Sequence, residues 1–244
     1  DVKNLISDRT RLLSATWVSN ATGTVNPIHE MISMARESGA VTMVDASQAL
    51  PHQPVDVQAL GADFIVFSGH KMYGPTGIGC LWGRESILEA MPPWQGGGDM
   101  IDQVTFEKTT FNTLPWKFEA GTPHIAGAIG LGAAVDWLSG LGMQAVADSE
   151  AHLVEKLAST LDAIPRVELI GRPTHRAAAV SFNVDGLHPH DVGTMLDRHG
   201  VAIRTGHHCA QPTMQHFNVP ATARASLGVF NNESDIDALD KALR

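Results

Sequence analysis

Short apolar runs alternate with amphipathic stretches along the first half of the chain. RLLSATWVS (11–19) reads as a strand, and PIHEMISMARESG (27–39) as a helix with Pro27 near its start and Gly39 at its stop. VTMVDA (41–46), DFIVFSG (63–69) and GIGCLWG (77–83) read as three more strands. Their runs are apolar on both faces, which predicts strands covered on both sides by helices and a largely parallel sheet. Residues 92–123 carry no such pattern and predict a long functional loop. Two helices are predicted next, over 125–139 and 144–163. Beyond them AAAVSFNV, VAIRTG and ATARASLGVF predict strands, and HPHDVGTMLDRHG and ESDIDALDKAL predict helices. The fold class is α/β, with a smaller α+β unit after the first layer.

The 244 residues are 43% hydrophobic and 18% charged, a globular composition with enough apolar surface for a sizeable core. The net charge of −9 and the absence of a Lys/Arg cluster argue against nucleic acid as a partner. The most apolar stretch, IAGAIGLGAAVDWL, is broken by Asp136, so no membrane partner is expected. Cys80 and Cys209 are the two cysteines, too few for a disulfide framework. A reducing cytoplasm is the expected location.

Chemistry gathers at the strand ends. Asp45 follows an apolar strand, where open α/β sheets bind ligands, although capping the turn is the blander role for it. The next strand ends in SGHK, which adds Ser68, His70 and Lys71, and Gln48 lies just past Asp45. A phosphorylated aromatic aldehyde accounts for this set. Pyridoxal phosphate needs a lysine for its imine and an acid at its ring nitrogen. Lys71 and Asp45 fill those roles, Gln48 donates to the phenolic oxygen, and Ser68 and His70 donate to the phosphate. Asn20, in VSNATG, touches ring or substrate. Thr122, in FEAGTP, is a phosphate donor or a helix cap.

A second cluster is AIRTGHHCAQP (202–212). Cys209 follows His207 and His208, with Arg204 nearby, and such neighbours favour a thiolate. Adjacent His and Cys are poorly spaced for zinc, so no metal is expected. Cys80, inside GIGCLWG, reads as a buried core thiol. Arg224, a lone arginine on an apolar strand, is either a surface ion-pair partner or a clamp for a substrate carboxylate.

VDASQALPHQPVDV, FSGHKMYGPTGIG, FEAGTPH, RTGHHCA and RASLGVFN together resemble the group II cysteine desulfurases of the SufS/CsdA type, within the class V aminotransferase family. The likeness runs from about residue 6 to the end. It implies the fold-type-I architecture of pyridoxal-phosphate enzymes, with residues 1–140 the C-terminal part of the large cofactor domain and 141–244 the small domain. It implies catalytic Lys71 and Cys209, cofactor-binding Asn20, Asp45, Gln48, Ser68, His70 and, reaching the neighbouring subunit's phosphate, Thr122, and substrate-binding Asn20 and Arg224. It also implies a homodimer, L-cysteine as substrate, alanine and a Cys209 persulfide as products, and a sulfur-acceptor protein of SufE or SufU type feeding iron–sulfur cluster assembly. Departures are His124, Gln211 and the Asp-Ala-Ser before Gln48. Family members carry a further N-terminal stretch with a ring-stacking histidine and a phosphate-binding loop. The chain is therefore expected to be a fragment, inactive alone. Rival readings are a selenocysteine lyase, another enzyme of the family such as a kynureninase-like hydrolase or an epimerase, and a non-catalytic interaction fragment.

Overall fold

A computed structural model describes residues 1–244. Two compact units result. The first holds residues 1–15, 29–47 and 56–138; the second holds 16–28, 48–55 and 139–244.

In the first unit, α1 (Val2–Leu5) precedes β1 (Leu12–Thr16), α2 (Ile28–Glu37), β2 (Val41–Asp45), α3 (Val57–Leu60), β3 (Phe64–Ser68), β4 (Gly79–Gly83) and α4 (Glu85–Ala90). The four strands form one sheet in the order β1-β2-β3-β4. β2 and β3 are parallel, with Asp45 opposite Val66. β4 is antiparallel to β3, which departs from the parallel arrangement expected of it. The physical reason is the connection: residues 69–78 make a tight turn, with no crossover helix to carry the chain back for a parallel return. Asp63 ties β2 to the start of β3. Its Oδ2 accepts from the Thr42 backbone N–H (2.9 Å) and hydroxyl (3.0 Å), while Thr42 Oγ1 accepts from Asp63 N (2.9 Å). The apolar side of this layer buries Ile32, Ala35, Val44, Ala46, Phe64 and Ile65.

The stretch expected to be loop contains a hairpin, β5 (Ile101–Val104) with β6 (Thr109–Phe111). α5 (Ile125–Leu141) follows and buries only Gly127, Ala134 and Leu138. Ile125, Ile129, Val135, Trp137 and Leu141 are exposed on it.

The second unit continues with α6 (Met143–Asp162), β7 (Val167–Ile170), β8 (Ala179–Val184), α7 (Pro189–Asp197), β9 (Arg204–Gly206), α8 (Gln211–His216), β10 (Thr222–Ser226) and α9 (Glu233–Leu243). Its sheet runs β7-β8-β10-β9, with each pair antiparallel. α6 buries Val146, Glu150, Leu153, Val154, Leu157 and Leu161, the spacing of one helical face. That face packs on Val180 and Phe182 of β8 and on Ala223 and Ala225 of β10, with Ile236 and Leu239 of α9 completing the core. No single helix is long and apolar enough to cross a membrane.

Candidate active site

Within the first unit, Asp45 and Ser68 are the last residues of neighbouring parallel strands and share the sheet's carboxyl edge. Asp45 Oδ1 accepts from Ser47 N at 2.8 Å. The blander turn-capping role is thus real and uses one of the two carboxylate oxygens. β3 runs straight into a 3-10 helix, Gly69–Met72, that carries His70 and Lys71. Gly69 N–H donates to Ile78 O (2.9 Å) and Gly74 N–H donates to Gly69 O (3.0 Å), closing the turn on itself. A Cβ on Gly69 would meet Ile78 Cγ2 at 2.9 Å and backbone oxygens beyond it, so only glycine fits. Tyr73 takes a left-handed φ of 64° and sets its ring edge-on to Trp137, centroids 5.3 Å apart. Lys71 is thereby held on a stiff support. It is half-buried, and no carboxylate pairs with it. Ser68 is half-buried and its hydroxyl does not cap the 3-10 helix. His70 is exposed, and so is Thr122, three residues ahead of α5.

Within the second unit the structure gathers Asn20, Gln48, Cys209 and Arg224. Asn20, Gln48, His52 and Arg224 line one small pocket. Arg224 makes no ion pair, so the surface-pair reading fails. Instead its Nη1 donates to Asn20 O and its Nε donates to Ser226 Oγ at 3.0 Å. Arg224 lies directly opposite Arg204 across β9 and β10, so the two cations share one face. Burial foremost, and Arg204 next, pushes the Arg224 pKa down, while Cys209 pushes it up. Two like charges opposite each other on a sheet repel, and an anion between them relieves that repulsion. Arg204 Nη2 lies 4.0 Å from Cys209 Sγ. The exposed thiol therefore stands beside this pair of cations.

The Cys209 loop is a tight turn. Ala210 N–H donates to His207 O at 2.8 Å, and the two residues between, His208 and Cys209, have φ of 53° and 58°. Two central left-handed residues mark a type I′ turn, which Asn-Gly favours and which costs non-glycine residues about 1–2 kcal/mol each. His208 is buried. Its Nε2 is 2.8 Å from Thr222 Oγ1, and its carbonyl accepts from Asn20 Nδ2 at 2.5 Å. Burial first, then Arg224 and Arg204, lowers the His208 pKa to about 4.

Cys80 corrects an expectation. Its strand reads as core, but β4 is an edge of the sheet and Cys80 is exposed on it. Partial burial of its sulfur, with Glu119 adding to it, still pushes the thiol pKa up. No three His, Cys, Asp or Glu side chains converge to hold a metal.

Two groups of the second unit carry no sequence signal for their roles. One is the His208–Thr222–Ser181 chain, although Thr222 does share a strand face with Arg224 by its i, i+2 spacing. The other is buried Glu150, whose Oε2 meets His52 Nδ1 at 2.6 Å and ties the Gln48 loop to α6.

This geometry has counterparts among known proteins. Over 241 residues the chain is 50% identical to a cysteine desulfurase of Escherichia coli (strain K12 / DH10B), covering 98% of this chain and 59% of that protein. The crystal structure of the cysteine desulfurase CsdA (S-sulfonic acid) from Escherichia coli superposes with a TM-score of 0.93 at 41% identity, covering 100% of this chain and 61% of that one. The apo structure of a cysteine desulfurase from Thermococcus onnurineus NA1 gives 0.92 at 38% identity, over 96% of this chain and 59% of that one. The chain thus spans about 59% of the length of the curated relatives it matches. These relatives carry the α/β architecture of pyridoxal-phosphate enzymes, in agreement with the two layers described above. Residues 1–239 match the aminotransferase class-V family, and with this fold and these strand-end residues the chain belongs to that family.

Proposed function

We propose that this chain carries the lysine, the nucleophile and the carboxylate clamp of a cysteine desulfurase that takes L-cysteine to L-alanine with pyridoxal phosphate as cofactor. The residues fit that cofactor. Asp45 has an oxygen free for a protonated ring nitrogen, Lys71 has no competing carboxylate, and Ser68, His70 and Thr122 offer donors to a phosphate. Gln48 offers an amide to the phenolic oxygen. When bound, the cofactor supplies an electron-withdrawing ring that stabilises negative charge at the substrate α-carbon.

The rest falls to the chain. Arg224, braced by Asn20 and faced by Arg204, binds the substrate carboxylate. Lys71 anchors the cofactor, and its amine moves the proton at the α-carbon. Cys209 attacks the substrate sulfur as a thiolate: its Sγ–S bond forms, the substrate C–S bond breaks, and the carbon is left to be protonated as alanine. The carrying observation is the Arg224–Arg204 pair next to an exposed thiol. A carboxylate site beside a nucleophile suits an amino acid whose side chain is the reacting group. The relatives, named as cysteine desulfurases, support the same reaction. The exposure of Cys209 supports onward transfer to a sulfur-acceptor protein of SufE or SufU type. Two free cysteines support a cytoplasmic home, and the open apolar face of α5 supports a homodimer. The sulfur delivered serves iron–sulfur cluster assembly in this reading. Selenocysteine fits the same clamp, so the test compares the two. A protein of the relatives' full length, loaded with the cofactor, is given L-cysteine or L-selenocysteine, and alanine is measured. Alanine from cysteine with sulfane sulfur on the protein is expected. Alanine from selenocysteine alone would make it a lyase of that substrate instead.

A further inference from the structure

We propose that His208 is the positioning residue of the Cys209 thiol, holding the turn that aims the sulfur through a hydrogen-bond chain to Thr222 and Ser181. This rests on the desulfurase reading for what the thiol does, but its geometry stands alone. His-Cys is a poor sequence for a turn with two left-handed centres, so anchors outside the turn must hold it. Those anchors grip His208 at both ends.

Ala21 O only accepts, so the Ser181 hydroxyl donates its single proton there, at 2.5 Å. Ser181 Oγ also meets the Thr222 hydroxyl, at a longer 3.4 Å. Thr222 Oγ1 lies 2.8 Å from His208 Nε2, a contact that holds with Nε2–H donating or with the hydroxyl donating to a bare Nε2. Nδ1 is buried and makes no hydrogen bond. Burial first, and then Arg224, Arg204 and His207, disfavour a protonated ring, with Thr222 alone opposing them. The ring is held neutral in one orientation. The other grip is Asn20 Nδ2 on the His208 carbonyl. Asn20 O also holds Arg224, so the thiol turn and the carboxylate clamp share one brace.

The test uses full-length, cofactor-loaded protein. Thr222→Val keeps the shape and removes the hydroxyl that meets the ring. The expected result is a kcat lowered on the order of 10-fold, approaching the ~100-fold that a misplacement of about 1 Å costs, with the KM for cysteine unchanged because Arg224 remains. The Cys209 alkylation rate with iodoacetamide, followed by peptide mass, should change at least twofold in the same variant. Thr222→Ser restores the hydroxyl and should restore both values. A side chain that merely fills space would alter the melting temperature and leave the kcat-to-KM split and the alkylation rate alone. If Thr222→Val does not fold, Ser181→Ala breaks the next link and should shift the alkylation rate in the same direction. Wild-type kcat and alkylation in Thr222→Val, or in Ser181→Ala where that variant stands in, overturn the proposal. A wild type that releases no alanine refutes the desulfurase reading instead, and the alkylation arm still decides the role of His208.

Discussion

Lys71 and Arg224 bear different loads, and substitution separates them. Lys71→Ala in a full-length protein should leave no cofactor attached to the chain after borohydride reduction, read by intact mass, while a tethered cofactor would remove Lys71 from its role. Arg224→Ala should raise KM for cysteine by about 10- to 100-fold, the worth of a hydrogen bond to a charged group of about 1.5–3 kcal/mol. An unchanged KM would move the clamp elsewhere. His208 adds a pH signature. Its folded pKa is about 4 against 6.5 for a free histidine, so between those values the unfolded state holds more protons. Its contribution to stability is complete above about pH 6.5 and is lost as pH falls towards 4. The urea midpoint of wild type should therefore drop more between pH 7.5 and pH 4.5 than that of His208→Gln, and equal drops would show that the ring does not titrate as described. At this scale the sequence singled out Lys71, Asp45, Cys209 and Arg224, because each is a reactive type placed against its surroundings. It did not reveal Cys80, because apolar neighbours along a strand do not report whether the strand lies at an edge. Cys80→Ala should accordingly change stability by less than about 0.5 kcal/mol.

Elements were legible where they were long. α6 and α5 lie within a few residues of their predicted limits, α6 because its apolar spacing extends over several turns and α5 because it is one long apolar run. The β5–β6 hairpin was not legible. Its strands are four and three residues long and fully or mostly exposed, so no face alternates. The antiparallel return of β4 was likewise hidden in a turn whose direction only backbone hydrogen bonds reveal. α9 offers a clean test of local chemistry. Asn232 Oδ1 accepts from Ser234 N (2.9 Å) and Asp235 Oδ2 accepts from Asn232 N (3.0 Å), a reciprocal cap. Asn232→Ala should cost about 1 kcal/mol in urea unfolding, and no loss would mean the cap adds nothing to α9.

At the scale of the molecule, the residues proposed to carry the chemistry are divided between two units: Lys71 and Asp45 in the first, Cys209, Arg224 and Asn20 in the second. Composition and strand–helix alternation made the layered class readable. They did not show that residues 16–28 and 48–55 join the later unit, because long-range packing of that kind leaves no local pattern. The chain spans about 59% of its relatives' length, so the deciding assay uses a protein of that full length. Cys209→Ala and Cys80→Ala each remove one thiol. Both are loaded with pyridoxal phosphate, given L-cysteine and assayed for alanine and for protein-bound sulfane sulfur. The account predicts that Cys209→Ala keeps the cofactor and loses both products by several orders of magnitude, as expected when a covalent nucleophile is removed, while Cys80→Ala matches wild type. Near-normal alanine and sulfane sulfur from Cys209→Ala would contradict it.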